Sequence, residues 1–172
     1  MTSLQAGRFA CERANWQLTG QQLHKILYLA HVLESGLRGQ LLIEDESFEA
    51  WNVGPVLSRL YQRTRCFGAD PIKQIFRSIE PAVPQPALSE LGRIVDVLGA
   101  VPPWRLVQLV HQPESAWSRS YDSARPRKIP QRFMEEEFRI RQALVRVRKD
   151  DVAAKVAGSD LREGTAHVDA LH

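Results

Sequence analysis

Residues Thr19 to Tyr61 read TGQQLHKILYLAHVLESGLRGQLLIEDESFEAWNVGPVLSRLY, and the reading of this stretch decides the fold. Thr19 suits a helix N-cap, and Gln22 three residues on completes a capping box, which gives partners to backbone amides left open at a helix start. Leu23, Ile26, Leu27, Ala30 and Leu33 then recur at helical spacing, so they belong to one buried stripe. Gly36 suits the end of that helix, where a positive φ is common. Leu41, Ile43 and the segment Phe48 to Trp51 have strand composition, with Glu44, Asp45, Glu46 and Ser47 as a polar turn between them; a short hairpin is expected. At Gly54-Pro55 the chain turns, and a proline is well placed in a first helical turn, where its missing N–H costs nothing. A second amphipathic helix is expected there, with Val56, Leu57, Leu60 and Tyr61 on it.

The rest of the chain adds helices. Ser3 can cap a first one to about Asn15, with Leu4, Phe9 and Cys11 as burial candidates. The segment DPIKQIF beyond Gly68 reads as a loop or short extended piece, and Pro81, Pro84 and Pro86 forbid continuous helix and favour an extended connection. Ser89 or Glu90 opens a helix with Leu91, Ile94, Val95 and Leu98 on one face. Pro102-Pro103 starts another with Leu106, Val107, Leu109 and Val110. After a turn through Trp117 and Tyr121, the basic loop RPRKIP leads to a long last helix from Pro130, with Phe133, Met134, Phe138, Leu144 and Val145 inward. Past Asp150 the pattern dissolves into small and polar residues that bury too little to offset their ordering entropy. The expected architecture is mainly α: a compact multi-helix domain over residues 1–149, with a small β-hairpin between the second and third helices and a flexible C-terminal tail over 150–172.

Composition narrows the class. At 172 residues the chain suffices for one domain plus appendages, with a core that needs no covalent staples. Cys11 and Cys66 stand apart with no CxxC or Cys/His spacing, so neither a disulfide framework nor a zinc site is suggested and a reducing cytoplasm fits. No apolar run approaches the roughly 20 residues of a membrane helix, and the N-terminus lacks a signal-peptide layout; a soluble, cytoplasmic protein with no membrane partner is expected. The net charge of +3 is uneven: residues 1–100 hold 10 Lys+Arg against 10 Asp+Glu, 101–149 hold 11 against 5, and 150–172 hold 2 against 5. A basic face near the end of the domain could meet nucleic acid, through the region from Arg125 to Lys149, or an acidic protein. A solvated helix face is the blander reading, since Glu135, Glu136 and Glu137 sit among the arginines and no aromatic residues interleave.

Signatures of chemistry are missing. His24 and His31 lie two turns apart, too far for an i, i+4 metal pair, and no HExxH, GxSxG, GxxxxGK[ST] or GxGxxG occurs. The expectation is a protein that is not an enzyme, with no catalytic residues, no metal and no cofactor. The acidic run Glu44, Asp45, Glu46 and Glu49 could bind a cation, but a solvated hairpin tip explains it more simply.

The combination LHKILYLAH, then EAW, then GPV with Leu60-Tyr61 behind it resembles the Panacea domain of bacterial and phage proteins (the SocA-like or GepA-like family). Leu23, Lys25, Leu27, Tyr28, Ala50, Trp51, Gly54, Pro55, Val56 and Tyr61 match its first block; LVQLVHQPESAWSRSY is similar to the second, with His111 and Trp117 at its histidine and tryptophan, and IPQRFMEEEF to the closing block. The resemblance covers about residues 4–140. It implies an antitoxin of a toxin-antitoxin system: a protein that binds and neutralises a cognate toxin, and in some members delivers it as an adaptor to a Clp-type protease. Leu27, Gly54, Pro55 and Val56 are expected to be structural. Tyr28, Trp51, Tyr61, His111 and Trp117 can cement a core or anchor a partner, because Trp and Tyr serve both roles. Lys25 can snorkel, pair with a carboxylate such as Glu49, or meet a partner's acidic group. The alternative function is a nucleic-acid-binding regulator that uses residues 125–149.

Overall fold

The computed structural model describes residues 1–145, and Met1–Phe138 form one compact unit. Its elements run α1 (Ser3–Arg13), α2 (Gly20–Arg38), β1 (Glu49–Trp51), β2 (Gly54–Val56), α3 (Ser58–Thr64) with a 3-10 turn (Arg65–Phe67), α4 (Pro86–Leu98), α5 (Pro103–Val110), α6 (Ala116–Ser120) and β3 (Arg127–Lys128). A last helix, α7, starts at 131. Helical residues 139–145 belong to a second unit, Arg139–His172. The boundary expected at 149/150 and the tail beyond it lie outside the described residues. The architecture is mainly α with a small antiparallel sheet, and the hairpin β1–β2 falls between the second and third helices.

The centre of the unit is α2. Thr19 and Gln22 form the capping box, with the Gln22 amide donating to Thr19 Oγ1 at 3.2 Å and the Thr19 amide donating to Gln22 Oε1 at 3.0 Å. Leu23, Ile26, Leu27 and Ala30 are buried, as their spacing predicts, while Leu33 is half-buried. Burial does not stop at this stripe. α2 packs against α1, α4, α5 and β2, so His24, Lys25, Tyr28, His31 and Glu34 are also enclosed. A helix wrapped on every side is normally apolar all round, and here each polar side chain needs its own partner. Glu34 is met by Arg38 one turn on.

Several expectations are corrected. Thr2, not Ser3, caps α1 through its own capping box with Gln5, and Ser3 instead gives its amide to Asp45 at 2.7 Å. α2 does not end at Gly36; it runs to Arg38 and is closed by Gly39 at φ +65°. Gly36 is needed for a close approach, since a Cβ there would lie 2.0 Å from Phe138 Cγ. Leu41 and Ile43 are not strand. The hairpin turns at Asn52-Val53, with Trp51 opposite Gly54, Ala50 opposite Pro55 and Glu49 opposite Val56. Gly54-Pro55-Val56 is therefore its second strand rather than a helix start; Gly54 at φ +103° takes a conformation that L side chains rarely adopt.

Leu57 is the N-cap residue of α3, and α3 packs chiefly on α1, where Leu60 fills the space over Gly7. α4 opens at Pro86, three residues before Ser89, because a proline at the first helical position is tolerated. Trp117 lies in a short helix capped by Ser115 rather than in a turn. Two residues of the basic loop, Arg127–Lys128, join the sheet as β3, giving the order β2-β1-β3. Phe133, Met134 and Phe138 pack on the core, whereas Leu144 and Val145 are exposed.

Candidate partner-binding site

Residues scattered from 25 to 121 gather around the hairpin, and α2 sets the first of them. Lys25 is 1% exposed, and its Nζ donates to the Pro55 carbonyl on β2 at 3.1 Å. The expected pairing with Glu49 does not occur: Glu49 accepts from Trp51 Nε1 at 2.9 Å, and no carboxylate among the described residues bridges to Lys25. Burial without a counter-charge disfavours the ammonium, and the amine's pKa falls to about 7.

Gly54 fixes how closely the neighbours approach. A Cβ there would lie 2.8 Å from Lys25 Cε, 3.0 Å from Lys25 Nζ and 3.0 Å from His111 Nε2, so the lysine and the histidine converge on the one residue that has no side chain. His111 follows α5, and its ring stacks on Trp117 at 3.7 Å with the planes 3° apart. Trp117 stacks in turn on Tyr121 at 5.0 Å, and its Nε1 donates to the Trp51 carbonyl at 2.8 Å. Trp51 meets Tyr61 at 4.9 Å. Trp51, Tyr61, His111 and Trp117 are half-buried, and Tyr121 and Val53 are exposed. The result is an aromatic ledge over a buried amine, with offset and stacked ring pairs that contribute about 0.5–1.5 kcal/mol each beyond area.

His24 supports the ledge from below. Its Nδ1 accepts the Leu57 amide at 3.3 Å, which fixes the proton on Nε2, and that atom is buried without a partner, as is His111 Nε2. Burial first, and then the charge of Lys25, push the His24 pKa down to about 3; the same two causes lower that of His111. His31, two turns along, accepts the Ile43 amide on Nδ1 at 3.3 Å and faces Gln131 Oε1 at 3.2 Å from Nε2. Burial draws its pKa down to about 4, against the Gln131 hydrogen bond, with the Met1 amine adding to the fall. Neither histidine is placed to ligate a metal, and no group of metal-ligating side chains occurs among the described residues.

Of the residues singled out in the sequence, Lys25, Trp51, Tyr61, His111 and Trp117 come together here, around Gly54 and Pro55. Tyr28 does not. It is fully buried, donates to Glu137 Oε2 at 2.5 Å and packs edge-on against Phe48, while Glu137 also accepts the Ala116 amide at 2.8 Å. Tyr28 thus ties α2 to α6 and α7 on another side of α2's environment. Leu27 and Val56 are core. Tyr121, which extends the stack and is expected from sequence in a turn, is the C-cap residue of α6, extended just past the helix, with its amide donating to the Trp117 carbonyl at 2.9 Å; its spacing of four from Trp117 is the signal the sequence carries.

The acidic run is used within the protein. Asp45 holds Ser3 and Arg59, and Glu46 accepts the Arg59 amide at 2.8 Å. In the basic region, Arg127 is held by Asp122 at 2.6 Å; ahead of it on α6, Arg119 is held by Glu136, with the Arg119 guanidinium 4.0 Å above the Phe133 ring. Arg125 and Lys128 are exposed; residues 146–149 of that region lie outside the described residues. No helix among the described residues is long and apolar enough to cross a membrane. No family model, curated protein or solved structure matches this chain.

Proposed function

We propose that this protein is an antitoxin that binds and neutralises a cognate toxin protein by direct contact, with no catalytic step of its own. The observation that carries the reading is the convergence just described: Lys25, Trp51, Tyr61, His111 and Trp117, by which the sequence resembles the Panacea family, are spread over more than 90 positions yet meet around one hairpin. Half-buried tryptophan and tyrosine beside a polar group are the composition of an interface anchor. The ledge is built on regular elements and a short hairpin, so its side chains are held in place before a partner arrives, which limits the ordering cost of association.

The partner is then a protein, encoded beside this one, whose expression alone arrests growth. Co-expression should restore growth, and the pair should co-purify in raised salt, since contact through aromatic anchors survives ionic strength that strips phosphate-bound proteins. Absence of a toxic neighbouring gene, or a toxin equally well neutralised by Trp51→Ala, Trp117→Ala double variants that retain their fold, would overturn the reading. Delivery of the toxin to a Clp-type protease is the further part of the proposal, and it places the protein in the cytoplasm.

A further inference from the structure

We infer that Lys25 Nζ and His111 Nε2, converging at Gly54 beneath the aromatic ledge, form a subsite for one carboxylate, supplied by an aspartate or glutamate side chain of the bound protein. The inference rests on the antitoxin reading and adds the chemistry of its central contact. A charged lysine head offers three donors; here one is taken by the Pro55 carbonyl, and the neighbouring titratable groups are bases, His24 on α2 and His111 at the end of α5. The carboxylate on the hairpin, Glu49, is engaged by Trp51. His111 Nε2 and His24 Nε2 are enclosed without partners.

A protein gains nothing in stability from such a cluster, because a buried cation with no counter-charge is costly and an apolar side chain of similar volume does better. An incoming carboxylate changes the balance. It accepts from Lys25 and His111 at once, the charged lysine becomes favourable, and the anion is held among desolvated groups where its attraction is strongest. The half-buried His111 ring reaches Gly54 beside the amine and carries the Trp117 ring stacked on it, so a rotation of the His111 side chain alone opens the way for an acidic side chain to Lys25.

Acetate serves as the probe for the protein by itself. Thermal melts at pH 7.5 are run in sodium acetate and in sodium chloride at equal ionic strength, for the parent, Lys25→Met and His111→Phe, the last keeping a ring to stack on Trp117. Ligand that binds the folded state raises the midpoint. A higher midpoint in acetate than in chloride is expected for the parent, abolished in Lys25→Met and reduced in His111→Phe. Lys25→Met in chloride should itself melt higher than the parent. An equal acetate effect in parent and Lys25→Met, or none in either, overturns the subsite. The partner is tested separately by co-expression with the toxin: Lys25→Met must lose neutralisation at least tenfold. If the acetate effect depends on Lys25 but Lys25→Met still neutralises, the assignment of the carboxylate to the toxin is wrong while the antitoxin reading stands. If the parent neutralises no neighbouring product, the antitoxin reading fails and the acetate result still decides whether the subsite exists.

Discussion

Mild acid should destabilise this protein through two buried histidines. His24 and His31 are both 3% exposed, and each uses Nδ1 to accept a backbone amide, from Leu57 and Ile43 respectively. Their folded-state pKa values of about 3 and about 4 lie below the ordinary 6.5. The unfolded chain therefore binds more protons than the folded one below pH 6.5, so stability is fully present above that pH and is lost as pH falls towards the folded values. At pH 5 the unfolded form of each site is about 1.5 pH units into protonation while the folded site remains neutral, which amounts to about 2 kcal/mol per histidine. Two such sites remove about 4 kcal/mol, a large part of the roughly 5–15 kcal/mol of a typical domain.

Lys25 adds a slope in another window, between its folded value of about 7 and its ordinary 10.5, where stability rises with pH by the same sign rule. Urea melts at pH 7.5 and 5.0 measure the loss directly. His24→Asn and His31→Asn supply the control, because the Asn oxygen stands near the position of Nδ1 and still accepts the loop amide but does not titrate. Each variant should halve the difference between the two pH values. A parent protein that loses less than about 1 kcal/mol, or a double variant with the full parental slope, would refute the assignment.

Other outcomes test the packing and the tail. Leu27 and Leu60 are both fully buried, and replacing either with Ala should cost about 2–5 kcal/mol in denaturant melts; both variants within about 0.5 kcal/mol of the parent would remove them from the core. Gly36→Ala, whose Cβ would sit 2.0 Å from Phe138 Cγ, should cost about 1–3 kcal/mol through overpacking, whereas the same change at the helix-closing Gly39, which has open space around it, is opposed only by its φ of +65°. Gly54→Ala should be worse than a surface Gly→Ala change, and toxin capture should fall with it, because both its φ and its contact with Lys25 and His111 oppose a side chain. Truncation after Lys149 separates two modes of neutralisation: if the toxin is still bound but its half-life lengthens and toxicity returns, the tail is a protease tether, and unchanged protection with unchanged toxin half-life rejects it.

Local chemistry, the part of folding that a sequence states openly, determined the capping box at Thr19, the burial of Leu23, Ile26, Leu27 and Ala30, the start of α5 at Pro102-Pro103 and the presence of a hairpin that includes residues 49–51. Each depends on residues within a few positions of one another. The hairpin's register was beyond that reach. GPV has the composition of a turn followed by a helix, and it becomes a strand because α2 and α5 pack against it and Lys25 donates to the Pro55 carbonyl. Gly36 likewise has the look of a helix end, and it is a contact for Phe138, 102 positions away.

The site followed the same division. Residue identity and motif order marked Lys25, Trp51, Tyr61, His111 and Trp117, but not that they touch, nor that Tyr28 stands apart from them with Glu137. Spacing along a helix assigns one face to the core, but the middle of α2 is enclosed by its neighbours, and a lysine set among apolar residues, free by sequence to reach water or an acid, is buried without an acid beside it. Whether a polar side chain is buried, and against what, is decided by elements distant in the chain. That is why the tertiary structure alone turned a list of motif residues into an aromatic ledge beside a buried amine that has no counter-charge.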